Sequence, residues 1–155
     1  MSELSNLFDK ELILFNVEGS TRQNIFEQVS KVLDSNGYTQ STFLDALNKR
    51  EDEFPTGVVT ANLPIALPHA NPENVKRPFI AVVQTKNLIT VQQMGIGDDE
   101  ETKNFFFLGI VEETQDLQVK LLQRFMELMN DKEFVNKFKS AADKDSMYDL
   151  FMNNF

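Results

Sequence analysis

Residues 104–111 read NFFFLGIV, three phenylalanines in a row with no charge on either side of them. A run so strongly apolar, and only eight residues long, reads as a strand. Gly109 within it points to a bulge or to close packing. Residues 78–85, PFIAVVQT, read as a buried strand, and 11–17, ELILFNV, apolar and bounded by polar residues, as another strand. Residues 88–91, LITV, form a short strand or the continuation of one. Residues 63–68, LPIALP, are short, apolar and flanked by prolines.

Helical periodicity separates these runs. Ser20-Thr21-Arg22-Gln23 matches a capping box, with Ser20 as cap and Gln23 reaching back. Ile25, Val29, Val32 and Leu33 follow at helical spacing, and Gly37 stands where a left-handed residue closes a helix. A second helix is expected from Ser41 to Glu53, ended by Pro55 and Gly57. Gly95–Glu101, GIGDDEE, reads as a surface loop that lacks the spacing of a calcium loop. The last third is helical: residues 116–129, then a helix capped by Asp131, then a short one over 144–151. The order predicts an α/β fold, a mixed β-sheet flanked by helices, as one domain over residues 1–155.

Composition narrows the function. The net charge of −9 disfavours nucleic acid and anionic membranes, both of which call for a basic surface. It suits encounter with a basic protein partner, or simply solubility. Cysteine is absent, which excludes disulfides, thiolate chemistry and Cys-based zinc sites. The start, MSELSNLFDK, lacks the basic and apolar regions of a signal peptide, and no run is long enough to span a bilayer, so a cytoplasmic location is expected.

His69 is the single histidine. Zinc would have to rely on carboxylates beside it, so no metal site is expected. No Gly-x-Ser-x-Gly elbow, P-loop or dinucleotide fingerprint occurs, and no organic cofactor is called for. The context is Ala66-Leu67-Pro68-His69-Ala70-Asn71-Pro72, where an apolar strand ends at a proline that cannot extend a ladder. A histidine so held suits nucleophilic catalysis near neutral pH. A surface histidine without a role stands beside that reading.

Arg50-Glu51, Phe54-Pro55-Thr56-Gly57 and Ile65-Ala66-Leu67-Pro68-His69 together resemble the active-site signature of the fructose/mannitol superfamily of phosphotransferase-system enzyme IIA proteins. Met94-Gly95 and the segment Gln118–Gln123 are similar to the galactitol-specific branch. The resemblance implies the mannitol-type enzyme IIA fold, and a carrier that takes a phosphoryl group from phospho-HPr on His69. It would pass the group to a cysteine of a cognate enzyme IIB, upstream of the membrane enzyme IIC. Nε2 is the acceptor atom that the resemblance implies. Arg50 would stabilise phosphate with its planar donor set, or else be a solvated helix-end arginine. Thr56 would offer a hydroxyl and Gly57 a turn close to the phosphoryl group, although ordinary turn chemistry explains both. Gln118 aligns where many relatives carry a second histidine, and offers only a neutral amide.

Three alternatives remain beside this reading. One is a regulatory protein of the same fold whose phosphorylation reports nutrient state; the absence of an attached DNA-binding segment disfavours a transcription-regulator fragment. Another is a non-catalytic binding module. The third is a hydrolase with His69 as general base, for which no nucleophile is visible.

Overall fold

The computed structural model describes residues 3–155. The expected domain limits and the leaderless N-terminus extend to Met1 and Ser2, which lie outside the described residues. The strands are β1 (Phe8–Val17), β2 (Gly57–Val59), β3 (Pro64–Ala66), β4 (Phe79–Gln92) and β5 (Asp99–Gly109). The α-helices are α1 (Arg22–Ser35), α2 (Phe43–Glu53), α3 (Leu117–Met129), α4 (Lys132–Ser140) and α5 (Lys144–Met152). The five strands form one sheet in the order β1-β4-β5-β3-β2. β1 runs parallel to β4 and β3 parallel to β5, while β4–β5 and β2–β3 are antiparallel. The mixed sheet expected from the sequence is therefore present.

Strand alternation builds two cores from one run of phenylalanines. Phe105 and Phe107 join Phe26, Val29, Leu33 and Phe43 beneath α1 and α2. Phe106 and Leu108 point the other way, into a cluster with Phe125, Phe134, Phe138 and Phe151 from α3, α4 and α5. Phe106 stacks on Phe125 at 4.6 Å between ring centroids. The sheet thus carries apolar side chains on both faces, and helices cover both.

Local chemistry sets the boundaries, with four departures from expectation. The capping box lies one residue later than Ser20–Gln23 suggests. Thr21 is the extended cap residue, and its hydroxyl accepts the Asn24 N–H at 3.1 Å. Asn24 in turn accepts the Ser20 N–H at 3.3 Å, so Asn takes the reciprocal place assigned to Gln23. α2 begins at Phe43 rather than Ser41, and the Thr42 hydroxyl ahead of it binds Asn74. Gly57 opens strand β2 rather than a turn. A Cβ there would stand 2.5 Å from the Gln92 carbonyl oxygen, so the close approach of β4 requires glycine. The loop over 95–101 is shorter than expected, because Asp99, Glu100 and Glu101 already pair with β4. Only the hairpin tip is irregular, with Gly95 and Gly97 at φ +78° and +75°.

Other expectations hold. Gly37 closes α1 at φ +79°, and the following Tyr38 N–H bonds the Leu33 carbonyl. Asp131 caps α4 through the Glu133 and Phe134 N–H groups. The runs 78–85 and 88–91 are one strand with a register shift between Gln84 and Ile89. Gly109 is close packing, since a Cβ there would meet the Phe79 ring at 2.0 Å.

Candidate phosphoryl site around His69

β3 is three residues long and ends at Ala66, two residues before Pro68, where the sequence places its end. The chain beyond it is held by bonds that leave little freedom. The Leu67 N–H donates to the Thr56 carbonyl at 3.2 Å, and the Leu108 N–H donates to the Pro68 carbonyl at 2.9 Å. His69 itself bridges to Leu108 of β5. The imidazole therefore sits at the end of an interior strand, and only 5% of its residue surface is exposed. It is a buried histidine and not a surface one.

Two contacts define the state of the ring. Nδ1 lies 2.8 Å from the Leu67 carbonyl oxygen, which can only accept. Nδ1 therefore carries the proton of the neutral ring, and Nε2 keeps its lone pair. The Gln118 side-chain nitrogen lies 3.3 Å from Nε2 and donates to it. Burial pushes the His69 pKa below 6.5, the Leu67 bond opposes that shift, and the positive charge of Arg50 adds to it. At neutral pH the site thus presents an unprotonated ring nitrogen.

Arg50 lies in the last turn of α2. Its Nη1 donates to the Asn71 side-chain oxygen at 3.3 Å, and its guanidinium lies 5.0 Å from the centroid of Phe54. Its Nε is buried and has no hydrogen-bond partner among the described residues. Gln118 is the second residue of α3, so the positive end of that helix macrodipole is close to Nε2. His69, Arg50 and Gln118 are thus brought together. Asn71, which fixes Arg50, was missed. Its only sequence signal is Asn71-Pro72 directly after the histidine, which reads as an ordinary turn.

Thr56 and Gly57 stand differently. The Thr56 hydroxyl donates to Glu51 Oε1 at 2.8 Å and its N–H to Glu51 Oε2 at 2.7 Å, so both hydrogens are already committed. Gly57 lies within β2 and pairs with Ala66.

Exposed apolar side chains adjoin the site's residues: Phe54 lies against the Arg50 guanidinium and Val119 follows Gln118 in α3. Phe54 (59% exposed), Val59, Ile96 and Val119 are exposed large side chains. A groove of about 370 Å³ runs between Val58, Leu67, Met94, Ile96, Leu122 and Met126. Leu67 and Ile65 are otherwise buried. No group of three or more metal-ligating side chains occurs among the described residues. No helix among them is long and apolar enough to cross a membrane.

Solved structures share this architecture. The nitrogen regulatory protein IIA-Ntr of Neisseria meningitidis superposes with a TM-score of 0.74 at 15% identity, over 97% of this chain and 99% of that one. The mannitol enzyme IIA of Escherichia coli, determined in complex with phosphorylated enzyme IIB, gives a TM-score of 0.75 at 15% identity, over 95% and 99%. The fold is that of the mannitol-type enzyme IIA proteins. The sequence profile of the phosphoenolpyruvate-dependent sugar phosphotransferase system EIIA 2 family matches residues 6–154, and the chain belongs to that family. A galactitol-specific EIIA component of Escherichia coli is 28% identical over 120 residues, 77% of this chain and 76% of that protein. The fructose-specific EIIABC component of Bacillus subtilis is 23% identical over 150 residues, 96% of this chain. The chain spans only 23% of the length of that larger relative.

Proposed function

We propose that the protein is a phosphohistidine carrier of a sugar phosphotransferase system, with His69 Nε2 as the acceptor atom. The observation that carries this reading is the Nδ1–H bond to the Leu67 carbonyl, which leaves Nε2 unprotonated between Gln118 and the Arg50 side. The donor is phospho-HPr, itself a phosphohistidine. The Nε2 lone pair forms the new P–N bond as the donor P–N bond breaks, and that bonding pair returns to the donor ring. Arg50 and the Gln118 amide stabilise charge on the equatorial oxygens.

The proton stays on Nδ1 throughout, donated to the Leu67 carbonyl. The phosphorylated ring is therefore an imidazolium, a good leaving group for the next transfer. The next acceptor is a cysteine thiolate of a cognate enzyme IIB, which serves a membrane enzyme IIC. A galactitol-like sugar is the substrate class, and the cytoplasm the location. The exposed apolar side chains of Phe54, Ile96 and Val119 suit a transient partner that must seal the site from water. Thr56 and Gly57 serve the site through the backbone they hold, rather than through contact with phosphate.

The test is intact mass after incubation with enzyme I, HPr and phosphoenolpyruvate. Wild type gains one acid-labile phosphoryl group and His69→Gln gains none. If neither gains mass while HPr is phosphorylated, the carrier reading is wrong.

A further inference from the structure

Glu51 follows Arg50 in the last turn of α2 and is only 2% exposed. Its carboxylate takes both hydrogens of one residue, the Thr56 N–H at 2.7 Å and the Thr56 hydroxyl at 2.8 Å. The Thr56 carbonyl accepts the Leu67 N–H at 3.2 Å, and the Leu67 carbonyl accepts the His69 Nδ1–H at 2.8 Å. A series of hydrogen bonds thus runs from the neighbour of Arg50 to the proton that fixes the His69 tautomer.

We propose that Glu51 is a positioning residue for the His69 site: it clamps the Thr56 peptide, so that the Leu67 carbonyl stays on Nδ1 and the last turn of α2 stays docked beside the same peptide. The clamp joins the two halves of the site, the helix that carries Arg50 and the strand end that carries His69.

The chemistry calls for a carboxylate here. Two donors converge, and only a carboxylate offers an acceptor to each. A glutamine would accept from one and turn its own NH₂ toward the other. The placement is costly, since burial raises the Glu51 pKa; the two Thr56 bonds, and after them the Arg22 charge, work against that rise. Arg22 also pairs with Asp52 at 2.7 Å. A position needed only for packing would be better filled by an apolar side chain of similar size.

His69 being the single histidine, its ring nitrogens can be followed without assignment ambiguity. Two-bond ¹H–¹⁵N correlations of the ring, at a pH where it is neutral, read the tautomer directly. Wild type shows the Nδ1–H form. In Glu51→Gln the ring nitrogens shift toward a mixture of both tautomers, and phosphoryl uptake from phospho-HPr slows by about 10- to 100-fold. Thr56→Val, which keeps the shape and removes the hydroxyl, moves the signals in the same direction by less. Thr56→Ser, which restores both donors, returns the wild-type tautomer. A folded Glu51→Gln protein with the wild-type tautomer and titration midpoint overturns the proposal. If Glu51→Gln does not fold, Thr56→Val decides in its place, and an unchanged tautomer there overturns it equally. The kinetic arm rests on the carrier reading, but the tautomer arm needs no phosphoryl donor. A tautomer shift in a protein that never takes up phosphate would leave the clamp standing and remove the carrier.

Discussion

The proton on His69 Nδ1 decides what the other ring nitrogen can do. With the Leu67 carbonyl as its fixed acceptor, the neutral ring has one usable lone pair, on Nε2. Burial first, and the Arg50 charge after it, hold the imidazolium form down, so the folded pKa lies below 6.5. The sign follows from linkage. Above 6.5 the histidine costs no stability; as pH falls below 6.5 the unfolded chain binds the proton first and stability drops, until pH passes below the depressed folded value. A ring-proton titration is expected to give a midpoint below 6.5 in wild type and a higher one in Arg50→Gln, where the repelling charge is gone. A midpoint unmoved by that substitution would show that Arg50 does not face the ring. His69 and Arg50 were legible in the sequence because Pro68 and the Arg-Glu pair mark them. Asn71 was not, because a side chain that orients another leaves no spacing signature. The acceptor of the Thr56 hydroxyl was not legible for a related reason: Glu51 reaches it only after α2 ends and the chain turns back.

Elements were easiest to read where a single force sets them. The apolar runs became β1, β4 and β5, and the amphipathic stretches became α1 and α3 to α5, because burial alone decides both. β2 was missed. Gly57-Val58-Val59 is too short to carry a period, and only pairing with β3 makes it a strand. The cap of α1 shows the same limit at finer grain. Ser20 and Thr21 are both good caps, and the choice between them rests on which backbone is extended. Thr21 is, and its hydroxyl holds the Asn24 N–H. Thr21→Ala is therefore expected to lower unfolding free energy by about 1 kcal/mol in urea denaturation, with Ser20→Ala within a few tenths of wild type. Equal losses would mean that the cap alternates between the two.

For the molecule as a whole, the sheet carries a further buried ionisable group, one that unlike His69 and Glu51 finds no hydrogen-bond partner among the described residues. Glu100 of β5 is 8% exposed, and neither carboxylate oxygen has a hydrogen-bond partner among the described residues. Burial pushes its pKa from 4.5 up to about 7, with no charged neighbour contributing. A raised carboxyl pKa favours the fold below 4.5 and withdraws that support as pH rises through about 7. His69 and Glu100 therefore act on stability from opposite ends of the pH scale. Glu100→Gln is expected to melt at a higher temperature than wild type at pH 8, the difference shrinking as pH falls to 5. A melting-temperature difference that does not vary with pH would mean that Glu100 is ionised in the fold throughout. Such a residue could not be picked out from GIGDDEE, where every acid looks equally solvated. The strand pairing of Glu100 with Val91 is what turns this one inward.

The division of three adjacent phenylalanines between two cores has a consequence for how this chain can drift. Phe105, Phe106 and Phe107 take their places by parity alone. Exchanging one for another large apolar side chain alters one core locally. Losing or gaining a single residue between Asn104 and Leu108 would swap the inward sets of both faces at once. It would also move Leu108 off the Pro68 carbonyl that it holds next to His69. This stretch can vary in what it says, residue by residue, but hardly at all in how many residues it uses to say it.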